Sequence, residues 1–297
     1  MKHIKYTLFI AFSLLCGVVF AQENAELKTI PEGWTPQQGD IALGISANPL
    51  LNYAGNLFNG TQGNSLNGFG GEPIGSGLNF QPQYSIMGKY QVTDNIAIRA
   101  NIGLLGYSEK LRTYVQDDKA VELDPLSNDK VVDVNSVKQN GASVAIGAEF
   151  QKRYRKIQGY AGASLYYAFG QQSREYTYGN AITELNQTPS STQGNAVVDF
   201  LPAARTLKTY NAANANACGA VGHIGVEWFF APKVSVGGEL NLSFIHVWES
   251  QRIAKYEGWN PATERVEEYT RTISPGSSYN SYGTDNLGGN IFISFYF

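Results

Sequence analysis

Apolar and polar residues alternate with period two through much of this chain, and that periodicity constrains its fold more than any other feature. From Asn79 to Val92, Phe80, Tyr84, Ile86, Gly88, Tyr90 and Val92 share one parity, while Asn79, Gln81, Gln83, Ser85, Lys89 and Gln91 share the other. Successive side chains of a strand point to opposite faces, so this segment is a strand with one apolar and one polar face. The turn Thr93-Asp94-Asn95 follows, and then Ile96, Ile98, Ala100, Ile102 and Leu104 alternate with Ala97, Arg99, Asn101 and Gly103. Two strands joined this tightly form an antiparallel hairpin.

The unit recurs. Val144, Ile146, Ala148 and Phe150 precede the short polar turn Gln151 to Lys156 and a strand from Ile157 to Phe169, whose parity is blurred by Gly159, Ala161 and Ala163. Ile224, Val226, Trp228 and Phe230 precede Ala231-Pro232-Lys233 and then Val234, Val236, Leu240, Leu242 and Phe244. Single strands at Asp40 to Asn48 and Leu287 to Phe297 bring the predicted count to eight. The connections alternate in length. Turns at 93–95, 151–156 and 231–233 are short, and those at about 49–77, 117–130, 178–212 and 250–284 are long and rich in Asn, Gly, Ser and Thr. Neither 178–212 nor 250–284 sustains alternation, so neither is expected to add a spanning strand.

Residues 1–21 have a basic start (Lys2, Lys5), an apolar run from Tyr6 to Phe20 and the ending Val19-Phe20-Ala21. This is the pattern of a secretory signal peptide, with cleavage expected after Ala21. Beyond it no stretch approaches the roughly 20 apolar residues of a spanning helix, so a membrane form of this chain must be a barrel. Of the two cysteines, Cys16 falls in the leader, leaving Cys218 without an internal disulfide partner and excluding a structural zinc site built on cysteine pairs. Charged residues make up 16% of the chain against about 25% in soluble domains, with a net charge of -3. No basic footprint for nucleic acid is present.

A soluble barrel or sandwich also alternates with period two, and aromatic placement separates the readings. On the eight-stranded topology, Tyr90, Phe150, Trp228, Phe230 and Phe297 fall at the short-turn end of their strands, and Phe80, Tyr167, Phe169, Phe244 and Trp248 near the long-loop end. These form two girdles like those at the two interfaces of a membrane barrel. In a soluble barrel the polar faces carrying Lys89, Arg99, Glu149, Glu227 and Glu239 would have to form the core, which inverts what water selects. The expected fold class is therefore all-β, an eight-stranded antiparallel up-and-down transmembrane barrel with short periplasmic turns, long outer loops and both termini periplasmic. The expected organisation is a signal peptide at 1–21, a periplasmic extension at 22–38 and the barrel at 39–297.

The ending Asn290 to Phe297, with Phe295 and the terminal Phe297, looks like the C-terminal strand of outer-membrane proteins. With the strand pattern and loop alternation over about residues 39–297, the chain resembles the small eight-stranded family typified by the OmpA membrane domain, OmpX and OmpW. Its long Asn-rich loops look like those of a Bacteroidetes-type, Gram-negative relative. The resemblance implies recognition of the terminal strand by the barrel-assembly machinery, and contact with outer-membrane lipid and lipopolysaccharide. No peptidoglycan-binding domain follows Phe297, so cell-wall anchoring is not implied.

Eight strands enclose an interior that side chains can fill. Hairpin pairing sets Lys89 almost opposite Arg99 and Glu227 close to Glu239, and like charges so placed need partners. We expect a lumen network in which Lys89 and Arg99 are answered by Asp40, Glu149, Glu227 and Glu239, with His223 an inward-facing member beside Glu227. A hydrated lumen with screened charges is the alternative. His246 points outward at the outer rim. A lipid A deacylase places a His and a Ser two apart on its lipid face, but here Trp248 stands two after His246, so that resemblance breaks at the nucleophile. No enzyme, cofactor or metal is expected. The expected role is a structural or partner- or ligand-binding membrane protein acting through its outer loops, against a narrow porin-like channel for small solutes.

Overall fold

The computed structural model describes residues 33–46, 86–210, 214–283 and 287–297, so the leader, residues 22–32, the first long connection and Phe80 lie outside the described residues. The elements in chain order are β1 (Ile41–Ser46), β2 (Ile86–Thr93), β3 (Ile96–Gln116), the short helix α1 (Asp118–Leu123), β4 (Lys130–Tyr154) and β5 (Ile157–Thr177). They continue with β6 (Ala196–Val198), β7 (Leu201–Tyr210), β8 (Ala215–Ala231), β9 (Val234–Glu249), β10 (Arg252–Asn260), β11 (Arg265–Ser274), β12 (Ser278–Ser281) and β13 (Leu287–Tyr296).

Eight of these strands close an antiparallel ring in the order β1, β2, β3, β4, β5, β8, β9, β13 and back to β1. At the seam, the Phe297 N–H donates to the Ile41 carbonyl over 2.8 Å and the Ile41 N–H to the Phe297 carbonyl over 3.2 Å. The two halves of the predicted alternation take opposite environments around this ring. Ile41, Leu43, Ile45, Ile98, Ile102, Ile146, Leu165, Ile224, Val226, Leu240, Leu242, Ile291 and Ile293 are exposed on the outer wall. Gln91, Arg99, Glu149, Gln151, Gln158, Glu227, Ser235 and Ser294 are 1% exposed or less inside.

Leaving an Ile- or Leu-sized side chain half in water forfeits roughly 1 kcal/mol of burial. Those thirteen wall residues would together forfeit on the order of 10 kcal/mol, comparable to the whole stability of a domain. An apolar wall around a polar interior is the distribution that lipid selects and water does not.

One predicted boundary agrees with the structure and one expectation is corrected. The strands bordering the second long connection, expected at about 117–130, pair without a break to Gln116 and Lys130. At about 3.3 Å per residue, that hairpin stands roughly 40 Å past Leu104. The segments 178–212 and 250–284, expected as loops, contain β6, β7, β10, β11 and β12. None is a member of the ring. β7 pairs with the outer end of β5, β10 with β7 and β11 with β10, while β12 pairs with β9 above the stretch of β9 that meets β13. The predicted expectation that neither segment spans agrees with this arrangement.

Interior packing depends on two glycines. A Cβ on Gly225 would lie 2.4 Å from the Tyr160 hydroxyl, and one on Gly237 would lie 2.4 Å from the Phe292 ring. Each glycine therefore opens a seat for one lumen aromatic. Substituting Gly237→Val should displace the Phe292 ring and destabilise the barrel by about 1–3 kcal/mol. The check is the urea midpoint in detergent micelles, with the folded band scored by unheated gel mobility. An unchanged midpoint would mean that the ring does not need this seat.

Candidate functional site

The lumen holds the densest cluster of chemistry among the described residues. β2 presents Lys89, β3 presents Arg99, β4 presents Glu149, β8 presents Glu227 and β9 presents Glu239, each on the inward parity. Lys89 Nζ lies 2.8 Å from Glu149 Oε1 and 2.5 Å from Glu227 Oε1. Arg99 holds Glu239 with both terminal nitrogens, Nη2 to Oε1 at 2.9 Å, and its Nη1 lies 3.7 Å from Glu149 Oε2. Both cations and all three carboxylates have side chains 1% exposed or less.

β2 and β8 lie four places apart in the ring of eight, and so do β3 and β9. Lys89–Glu227 and Arg99–Glu239 are therefore struts across the full width of the lumen. Two cations face three carboxylates, and neutral donors answer part of the remainder, while buried Glu149 Oε2 has no hydrogen-bond partner and lies 3.7 Å from Arg99 Nη1 and from His223 Nε2. Tyr296 and Ser235 hydroxyls each donate to Glu227 Oε2 over 2.8 Å, the Tyr160 hydroxyl donates to Glu239 over 2.9 Å, and Gln151 donates its amide to Glu149 over 2.6 Å. A buried charge left without such partners would be strongly unfavourable. The Lys89 ammonium also sits 4.3 Å from the centre of the Tyr160 ring and 5.6 Å from that of Phe292.

The structure thus brings together five of the six predicted lumen charges and leaves one out. Asp40 instead lies at the short-turn end, where it accepts from the Gln37 N–H and pairs with Lys233 Nζ at 2.6 Å. It precedes the first residue of β1, so it sits at the mouth rather than within the ring. His223 is buried inside, but its Nε2 faces Glu149 Oε2 at 3.7 Å, not Glu227. Tyr160, Tyr296, Ser235 and Gln151 were not singled out from the sequence. Their inward parity was the available signal, hidden at Tyr160 by the small neighbours Gly159 and Ala161 and at Tyr296 by the two outward phenylalanines beside it.

Apolar side chains lie on both sides of this layer. Toward the long-loop end lies an apolar cluster of Ala145, Tyr166, Ala168, Ala217, Val221, Ile245 and Val247, and toward the short turns Phe229 packs with Tyr296 and Ala42. Below them, residues 33–40 cross the three short turns. The Trp34 carbonyl accepts from the Lys233 N–H over 3.0 Å, the Lys156 ammonium lies 3.6 Å over the Trp34 ring, and the Gln38 N–H donates to Asp94 over 3.1 Å. The end of the predicted 22–38 extension is therefore engaged by the barrel's own turns.

On the outer wall, Tyr90, Phe150, Trp228, Phe230 and Phe297 are exposed near the short turns, and Tyr167, Phe169, Phe244 and Trp248 near the long loops. Phe295 is exposed on the wall as well. At the long-loop end, Asp118, Asp133 and Asn180 pin residues 178–195 to the tip of the long hairpin. Asp133 accepts from the Gly179 and Thr192 N–H groups at 2.8 Å, and Asp118 accepts from Ser190 and Asn186 at 2.7 Å. Beside them Arg205 pairs with Glu257 at 2.7 Å and lies 4.1 Å over the Tyr178 ring.

Comparison with solved structures adds a neighbour. No protein-family model matches the chain, and no curated protein matches it. Among solved structures, the crystal structure of the outer membrane protein OprG from Pseudomonas aeruginosa is similar over 89% of this chain and 98% of that one, at 10% identity and a TM-score of 0.32. The overlap is loose at that score, and the barrel fold rests on the strand ring itself.

Truncating Arg99→Ala should strand Glu239 and weaken the hold on Glu149, at a cost on the order of 3–5 kcal/mol. Urea unfolding in micelles measures it, and a variant that unfolds no more easily than the parent contradicts the strut. A second outcome concerns acid. Burial pushes the Asp118 carboxyl up, but hydrogen bonds from Ser190 and Asn186 outweigh it and hold the group below the ordinary value of 3.8. A depressed carboxylate stabilises above its unfolded value and stops doing so as pH falls through its folded one. Proteolysis between 178 and 195 should therefore accelerate only as pH drops below 3.8, and acceleration already at pH values well above it would contradict Asp118 as the pin.

Proposed function

We propose that this chain is an integral outer-membrane barrel with both termini in the periplasm and a closed lumen, working as a structural or partner-binding protein through its long-loop end. The observation that carries this reading is the lumen itself. Lys89, Arg99, Glu149, Glu227 and Glu239 are locked to one another across the ring with almost no exposed side-chain surface, between apolar layers on both sides. Eight strands leave room for side chains and little more. The apolar outer wall with aromatic residues toward both ends supports the membrane placement, and Phe295 and Phe297 suit recognition by the assembly machinery, with lipid and lipopolysaccharide as the surrounding partners.

Binding is then assigned to the platform built by β7, β10 and β11 and the tip of the β3–β4 hairpin. β11 pairs with β10 through residues Arg265–Ser274 and is the last strand of that sheet. Its outer backbone groups are those to which an extended partner segment could add. We assign this platform a binding role, and the lumen a structural one, without catalysis, cofactor or metal.

A narrow channel for small solutes is the competing reading, and one observation favours it. Gln91, Gln158, Ser164, Asn241 and Ser294 each carry a buried polar atom with no hydrogen-bond partner among the protein groups, and water would satisfy such atoms. Single-channel recording in planar bilayers separates the two, using refolded residues 22–297 whose barrel is verified by gel mobility. Silence is the expected result. Steady, reproducible conductance would install the channel reading.

A further inference from the structure

On the outer wall, at the level of the long-loop aromatic girdle, one patch groups a nucleophile with a base and an orienting amide. Strand register places Tyr167 of β5, Cys218 of β8, His246 of β9 and Asn280 of β12 in one row across four neighbouring strands. Row members are directly opposed, with Cβ atoms about 5 Å apart. His246 Nδ1 and Asn280 Oδ1 are 2.9 Å apart. An amide oxygen only accepts, so Nδ1 donates and Nε2 is left as the proton acceptor. Cys218 is a free, exposed thiol directly across from His246 in the strand register. Trp248 stacks on the same imidazole at 5.7 Å, which fixes its plane.

A hydrogen-bond donor for a developing oxyanion is also at hand. Asn216 lies two residues before Cys218 on the same face, and its side-chain oxygen accepts from the Tyr167 hydroxyl over 3.0 Å. That bond commits the oxygen and leaves the amide N–H groups free to donate. Nucleophile, base, orienting group and oxyanion donor are the parts an acyl-transfer site needs. Catalytic sites of this kind are ordinarily found in clefts, and here the cleft wall would be the lipid leaflet.

We propose that Cys218, His246 and Asn280 form an acyl-transfer site on the outer wall, acting on an ester-linked acyl chain of an adjacent lipid. The inference goes beyond the binding role above and rests on its membrane placement, because the girdle is the depth at which lipid ester bonds lie. Cys218 Sγ attacks the ester carbonyl carbon. A C–S bond forms, the C–O bond to the lipid alcohol breaks, and the thiol proton passes through His246 Nε2 to the departing oxygen. Water then attacks the thioester, its proton returning through His246 to the sulfur, and a fatty acid leaves. No oxidant or reductant is involved. Cys218 and His246 are the catalytic residues, and Asn280 positions the imidazole.

Two arms test this on residues 22–297, with gel mobility confirming that every variant forms a barrel. In detergent micelles, iodoacetamide alkylation of Cys218 at pH 7 should be slower by about 100-fold in His246→Gln, the usual scale of a lost general base. Asn280→Ala should slow it as well, and Asn280→Asp should restore it, which a merely structural amide would not require. In vesicles, free fatty acid should be released from the lipid, and none should be released by Cys218→Ala. Vesicles of phospholipid alone and vesicles containing lipopolysaccharide distinguish the donor. An alkylation rate indifferent to His246→Gln, or no fatty acid released from either vesicle type, overturns the proposal. The micelle arm decides on the wall site even if vesicle insertion fails, so it fails separately from the membrane reading.

Discussion

Backbone hydrogen bonding is the constraint on which everything else in this molecule depends. A strand in hydrocarbon has no water to satisfy its N–H and C=O groups, so a sheet can enter a membrane only without edges. The pairing of β1 with β13, continued by the Phe297 and Ile41 backbone bonds, removes the last two edges of the ring. Once the ring is closed, period two sorts the side chains into two environments with no intermediate choice. The same geometry that sends Ile41, Leu43 and Ile45 outward sends Ala42 inward.

A small closed ring then has to fill its own interior with residues of the polar parity. That is why its centre holds ions rather than a hydrocarbon core. Buried ion pairs contribute little net stability, because desolvation offsets their attraction. Their geometry is what matters here: Lys89 and Arg99 each reach a carboxylate on the opposite wall, and four neutral donors serve other carboxylate oxygens. A one-residue slip in register would turn these charges into lipid and bring isoleucines inside. The network therefore specifies register and ring closure more than it adds to folding free energy. Gly225 and Gly237 serve the same end by giving Tyr160 and Phe292 room to pack among the charges.

Much of the ring was legible because lipid-facing strands carry the strongest period-two signal: a wall such as Ile96-Ile98-Ile102 against Ala97-Arg99-Asn101 leaves one interpretation. The connection at 117–130 was placed correctly, but the outer halves of β3 and β4 carry no alternation, since between Tyr107 and Gln116 both faces meet water and no face must be apolar. The small strands β7, β10 and β11 were hidden for the same reason. Lumen charges were readable by parity, which reports direction but not depth, so Asp40 was assigned to a network that it precedes by one strand end. The Cys218–His246–Asn280 row depends on strand pairing across three segments, and β12 lies in a stretch with no alternation at all. No single-chain pattern announces such a row.

Whether the apolar wall faces lipid is decided most directly by fluorescence quenching of single-tryptophan variants. Of the four tryptophans, Trp228 and Trp248 lie toward opposite ends of the outer wall and Trp34 and Trp259 do not belong to it. Variants retaining only Trp228 or only Trp248 would be reconstituted in vesicles whose acyl chains carry bromine. Strong quenching by the brominated chains with weak quenching by aqueous acrylamide is the expected result. Strong acrylamide quenching at both positions, with the brominated lipid silent, would contradict a lipid-facing wall and with it the membrane barrel.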